Sequence, residues 1–186
     1  EDREILLQYS GRGGLTVNSQ YEYYTPTPVA EGVWGAMLAN GFANGNVLDP
    51  CCGSGLFSGT KPGGVVMTAN DLDPTGSRIA ALLNPEDHIS TQPFERVATS
   101  VVDDTFDSAI GNVPFGNARG ASMHEDPAYK KERLIERYFI LRILDKIKPG
   151  GLACLVCPTN IVGNTGRRWE EFRIALSKKA EFLGAH

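Results

Sequence analysis

No stretch of this chain is apolar for long enough to cross a bilayer, and Glu1 to Tyr9 lacks the basic-then-apolar order of a secretory signal. A cytoplasmic location with no membrane partner is the default expectation. Positive charge is also short, since 18 Lys and Arg stand against 22 Asp and Glu for a net charge of −4. That balance excludes a domain that grips nucleic acid with its whole surface, because phosphate contacts require clustered cations. If DNA is bound, the basic patch is local or the recognition region lies outside these residues. Cysteine is sparse: Cys51, Cys52, Cys154 and Cys157. The pair Cys154 and Cys157 has C-x-x-C spacing but sits in the apolar run Leu152 to Cys157, which reads as a strand. Residues three apart on a strand point to opposite faces, so these thiols do not converge on one ion. All four read as reduced, small apolar side chains, and no metal is expected. No internal repeat is present, and nothing here fixes an oligomeric state.

What is there fits one soluble globular domain: 186 residues, 41% hydrophobic and 22% charged. Residues 1–20 carry Gly11, Gly13 and Gly14 with few apolar anchors and read as an irregular arm. Residues 21–186 read as the core. The aromatic and proline-rich stretch Tyr21 to Pro28 leads into a helix, with Thr27 as N-cap and Val29, Val33, Trp34, Met37 and Leu38 as its apolar face, ended by Gly41. Strands then alternate with helices: strand 46–48, helix 55–60, strand 65–69, helix 75–83, weak strand 88–91, a polar connection, and strand 106–110. Residues 117–126 are almost devoid of apolar side chains and are expected to form a mobile lid. A long helix over 128–147 is broken by Pro149-Gly150-Gly151, and strand 152–157 and helix 167–179 complete the pattern. The regular alternation predicts an α/β fold: a mostly parallel sheet with helices on both faces, with ligands beyond the carboxyl ends of the strands.

Two stretches at such ends carry chemistry. Asp49-Pro50-Cys51-Cys52-Gly53-Ser54-Gly55 is a glycine-rich turn against which a polar cofactor can lie on bare backbone. Asp71, 22 positions after Asp49 and at the tip of the next strand, is placed to accept hydrogen bonds from ribose hydroxyls. The turn lacks the third glycine of a dinucleotide site, Ser58 standing there instead, and an acidic strand tip repels a pyrophosphate. Asp49 therefore favours a cationic or zwitterionic ligand such as S-adenosylmethionine. The second stretch, Gly111-Asn112-Val113-Pro114-Phe115-Gly116, joins a side-chain amide, a proline and an aromatic ring.

Here the chain resembles the amino-group DNA methyltransferases. Asp49-Pro50-x-x-Gly53-Ser54-Gly55 is similar to their motif I, Asn112-Val113-Pro114-Phe115 to their catalytic motif IV, and Tyr24-Thr25-Pro26 to the cofactor-contacting motif that precedes motif I in the gamma arrangement. The resemblance covers residues 20 to 180 or so, and it implies a Rossmann-like class I fold. It also implies that Tyr24, Thr25 and Pro26 lie by the methionine moiety of S-adenosylmethionine. Asp49, Pro50, Cys51 and Gly53 would flank its charged ends, Asp71 would bind the ribose, and Leu72 and Phe94 would enclose the adenine.

The exocyclic amine of adenine is a poor nucleophile because its lone pair is delocalised into the ring. Accepting hydrogen bonds from both N–H groups favours a tetrahedral nitrogen; the Asn112 side-chain oxygen and the carbonyl of Pro114 or its neighbour suit this task. Phe115 would stack on a flipped base. Asn112 resembles the adenine-N6 rather than the cytosine-N4 enzymes, and Asn112 would also border the cofactor. The family pattern usually has proline where Val113 stands, and its loss is expected to loosen the loop. Arg119, Lys130, Lys131, Arg133 and Arg137, with Arg167 and Arg168, are the candidates for DNA phosphates. Two other readings remain open: methylation of a protein glutamine or RNA base, and a non-catalytic cofactor-binding or antirestriction module. The chain is expected to be a segment of a longer restriction-modification-related protein with sequence recognition elsewhere.

Overall fold

The structure, a computed structural model, describes residues 2–7, 9, 25–116 and 120–185. A five-stranded sheet forms its centre, in the order β3-β2-β1-β4-β5. The strands are β1 (Gly45–Asp49), β2 (Val65–Asp71), β3 (His88–Thr91), β4 (Phe106–Asn112) and β5 (Ile147–Val156). All pairings are parallel. A parallel sheet buries both faces, and alternation along each strand divides its side chains between two helical layers. Val47, Met67 and Ile110 pack under α2 (Thr27–Ala39) with Trp34, Met37 and Phe42. Leu48, Phe106 and Ala109 pack on the other face under α5 (Phe94–Ser100) and α6 (Ile135–Lys146), against Phe94, Val97, Tyr138, Phe139 and Ile143. Cys154 joins the first layer and Cys157 the second, so the C-x-x-C pair diverges across β5 as its spacing predicts.

Connections place the strand tips. After β1 the chain makes the glycine turn and enters α3 (Leu56–Gly59). After β2, Asp73 starts α4 (Pro74–Leu83), its side chain accepting from the Thr75 and Gly76 N–H groups. The strand order reverses at β1, where β2 lies on one side and β4 on the other. That switch point is where ligands bind in open α/β sheets. Val47 pairs with Ser108 and Leu48 with Ala109, so the tips carrying Asp49 and Asn112 are neighbours.

Several elements differ from the sequence reading. The arm contains α1 (Asp2–Leu7), packed against α4. On α2 the N-cap is Pro26, and the inward face is Ala30, Trp34 and Met37, leaving Val29 and Leu38 42% and 45% exposed. Trp34 fixes this rotation by donating from Nε1 to the Phe57 carbonyl at 3.1 Å. The polar connection after β3 contains α5, whose Phe94, Val97 and Ala98 bury one helical face. The long helix begins only at Ile135, after 3₁₀ turns at Ala121–Glu125 and Pro127–Tyr129. Strand β5 takes in Pro149-Gly150-Gly151 and shifts register between Phe106 and Ser108, which lets it absorb the break. The terminal helices are α7 (Asn160–Gly163) and α8 (Arg167–Ser177).

The expected lid is tied down at its far end. Asp126 is fully buried; it receives Arg142 Nε at 2.9 Å and the Tyr138 hydroxyl at 2.9 Å. Removing one partner of such a buried pair leaves an uncompensated charge, so this end does not lift freely. The part of the lid at residues 117–119 lies outside the described residues.

Candidate functional site

The turn after β1 is fixed by backbone hydrogen bonds from several directions. Cys52 N–H donates to the Asn70 carbonyl at 2.8 Å, and Gly55 N–H to the Cys52 carbonyl at 2.9 Å. Gly53 N–H donates to Asp71 Oδ2 at 2.7 Å, and Asp73 N–H to Asp71 Oδ1 at 2.8 Å. Gly55 has φ +84°, and a Cβ there would meet the Ala80 Cβ at 2.8 Å, so the turn can press on α4 only as glycine. Asn70, buried near the end of β2, joins three tips: its Nδ2 reaches the Pro50 carbonyl at 3.4 Å and the Gln92 carbonyl at 3.0 Å.

Asp49 is fully buried, and its Oδ2 has no hydrogen-bond partner among the described residues. Burial pushes its carboxyl up to about 8; the Cys51 N–H on Oδ1 opposes this at 3.2 Å, and the nearby Asp71 charge adds to it. Asp71 is also raised, chiefly by burial, against the stabilising N–H groups of Asp73 and Gly53. Two inward carboxyls at adjacent tips, one with an unmet oxygen, make a site whose chemistry asks for a cation and hydroxyl donors.

The acceptor side faces this turn closely. A Cβ on Gly111 would lie 3.0 Å from Asp49 Oδ1 and 3.4 Å from Pro50 Cδ, so glycine is what lets β4 approach. The Cys51 thiol, kept protonated by burial, donates to the Asn112 carbonyl at 3.0 Å. Val113 is fully buried in the core, and its N–H donates to the Val156 carbonyl at 3.1 Å, a bond that proline cannot make. The loosening expected from the lost proline is thus offset by a hydrogen bond and a packed side chain. Pro114 and Phe115 follow, half-buried. Gly116 N–H reaches Glu136, a buried carboxyl at the start of α6 that sequence reasoning did not single out, and whose pKa burial raises.

Of the other expected site residues, Thr25 and Pro26 lead into α2, Pro50 and Cys51 line the turn, and Leu72 stands 65% exposed at the β2 tip. Phe94 is a correction. It is 3% exposed, its ring 4.7 Å from that of Phe139 and 6.0 Å from that of Tyr138, so it belongs to the core and forms no adenine wall. Tyr24 lies outside the described residues, as does Arg119. Among the basic residues, Arg137 is withdrawn: it pairs with Glu132 at 2.9 Å and stacks on the Phe172 ring at 4.9 Å. Arg167 pairs with Glu171. Lys130, Lys131 and Arg133 stay exposed, with no ion pair among the described residues.

Solved structures share this fold. A class I S-adenosylmethionine-dependent methyltransferase from Listeria monocytogenes superposes with a TM-score of 0.69 at 20% identity, over 89% of this chain and 54% of its own. The fold is that of the class I methyltransferases. A type I restriction-modification methyltransferase subunit from Streptococcus thermophilus shares it with a TM-score of 0.63 at 20% identity, over 83% of this chain and 38% of the subunit. In sequence, the whole chain is 48% identical to part of the Defense against restriction protein B of Escherichia phage P1, and spans 8% of that protein's length. Against protein-family models the chain finds no match. The class I fold accounts for the switch-point site, and no described helix is long and apolar enough to cross a membrane.

Proposed function

We propose that this chain is an S-adenosylmethionine-dependent methyltransferase core that acts on the N6 amine of adenine in DNA. The observation that carries the reading is the adjacency of the β1 and β4 tips, with the unmet carboxyl of Asp49 on one and the amide of Asn112 on the other. The residues present fit the cofactor: buried Asp49 suits an ammonium group, the bare Gly53 backbone suits close approach, and Asp71 keeps lone pairs for ribose hydroxyls. Leu72 offers an exposed apolar surface to an adenine ring. Thr25 and Pro26 are assigned to the methionine side. When bound, S-adenosylmethionine supplies an electrophilic methyl on a sulfonium.

The chain's own residues then handle the acceptor. The Asn112 side-chain oxygen and a carbonyl at Val113 or Pro114 accept hydrogen bonds from the two amine N–H groups, which draws the nitrogen lone pair out of the ring plane; methyl transfer would leave S-adenosylhomocysteine and release one amine proton to solvent. Phe115 stacks on the flipped base. Holding the two reactants in line supplies most of the acceleration, worth up to about 7–11 kcal/mol in favourable cases. Lys130, Lys131 and Arg133 precede α6, whose Glu136 holds the end of the acceptor loop, so they are the cations best placed for phosphates beside the flipped base. The restriction-modification likeness of the fold neighbours supports DNA as the substrate class, and the recognition region would lie in a longer protein.

The name of the phage relative supports a second reading, an antirestriction module that binds the cofactor without turnover. Transfer of labelled methyl to double-stranded DNA, RNA and protein, by the wild type and by Asn112→Ala, separates the two. Label in DNA that disappears in Asn112→Ala supports the enzyme. Cofactor binding with no labelled acceptor supports the module, and equal labelling by both proteins refutes the role of Asn112.

A further inference from the structure

Tyr9 carries the N-terminal arm to the cofactor side of the fold. Its hydroxyl donates to Asp73 Oδ2 at 3.0 Å, across 64 positions of sequence, while α1 just before it packs on α4. The same oxygen of Asp73 accepts the Gly76 N–H at 2.8 Å, and Oδ1 accepts the Thr75 N–H at 3.1 Å, which fixes the carboxylate as the α4 cap. The Asp73 backbone N–H in turn donates to Asp71 Oδ1 at 2.8 Å, and Asp71 Oδ2 receives the Gly53 N–H at 2.7 Å. An unbroken run of hydrogen bonds therefore leads from the Tyr9 hydroxyl through Asp73 and Asp71 to the cofactor turn. Asp71 and Asp73 repel each other. A neutral donor on the outer carboxylate eases that repulsion and holds the bend at Asp71-Leu72-Asp73 in one shape.

We propose that Tyr9 is a positioning residue for the adenosine end of the cofactor. Docking of α1 through the Tyr9–Asp73 bond presets Asp71 for ribose hydroxyls, and by reciprocity the bound cofactor holds α1 in place. This rests on reading the site as one for S-adenosylmethionine.

The test titrates S-adenosylhomocysteine into the wild type and Tyr9→Phe, a change that removes the hydroxyl and keeps the ring, and follows amide hydrogen exchange in α1. The expected result is a Kd raised about three- to tenfold in Tyr9→Phe, the size of one hydrogen bond. Ligand-induced protection of α1 should appear in the wild type and fade in the variant. An unchanged Kd, or α1 protection that is indifferent to ligand, would overturn the inference, and a lowered Tm with unchanged Kd would assign Tyr9 a purely structural role. Wild type that fails to bind S-adenosylhomocysteine would instead overturn the cofactor reading itself.

Discussion

The cofactor turn and the acceptor loop end neighbouring strands, yet they are held in different ways. The turn at 49–55 is bound from β2, from α4 and from within, through Asn70, Asp71 and its own N–H groups. The acceptor loop at 112–116 is held at three points, Asn112 by the Cys51 thiol, Val113 by β5 and Gly116 by α6. A turn held from several sides is preorganised, and changes there should damage folding and ligand binding together. A loop pinned at a few points can present side chains to a substrate, and changes there should damage turnover while sparing the fold.

Asn112→Ala is the sharpest probe of that difference. It should lower kcat by about 10²–10³-fold, the cost of one preorganised hydrogen-bonding group, with Tm near wild type. A parallel fall in Tm would break the distinction. On the other side, Gly55→Ala forces a Cβ against Ala80 at φ +84°. It should destabilise the chain by about 2–4 kcal/mol in denaturant unfolding.

Asp49 adds a pH signature to the cofactor side. Its pKa rises from 3.8 to about 8 on folding, so the folded chain holds an extra proton across that window. Stability of the ligand-free chain should therefore fall as pH rises from about 4 to about 8, then level off. A ligand bearing an ammonium selects the ionised carboxylate, so S-adenosylhomocysteine should bind more tightly as pH rises from about 6 to about 8, by up to about tenfold per unit. Asp49→Asn should flatten both curves in calorimetric titrations. Smallest is Val113→Pro, which introduces the residue usual in the motif that this loop resembles but deletes the N–H to Val156. It should lower stability by about 1 kcal/mol, and a gain in stability would show that the β5 contact is dispensable.

Much of the sheet was legible because its strands are short apolar runs bounded by turn residues. β3 falls at residues 88–91 as expected, and α4 spans Pro74–Leu83 against an expected 75–83. The motif spacing was legible for the same reason: Asp49, Asp71 and Asn112 all stand where a strand gives way to a polar turn. The rest depended on contacts distant in sequence. α5 looked like a loop because Glu95, Arg96, Thr99 and Ser100 dilute it, although Pro93 and the 94/97/98 spacing were available. Phe94 could be read as a ligand wall until its neighbours on α6 were known. The anchoring of Asp126 by Arg142, 16 positions away, was likewise hidden in a stretch with no apolar pattern.

The central claim is that one cleft, bordered by the tips of β1 and β4, receives donor and acceptor together. Ultraviolet crosslinking with methyl-labelled S-adenosylmethionine, followed by peptide mapping, tests it most directly. The account predicts label in the peptides that carry Asp49 to Gly55 and Asn112 to Phe115, competed away by S-adenosylhomocysteine. Competable label confined to peptides away from both tips would contradict it.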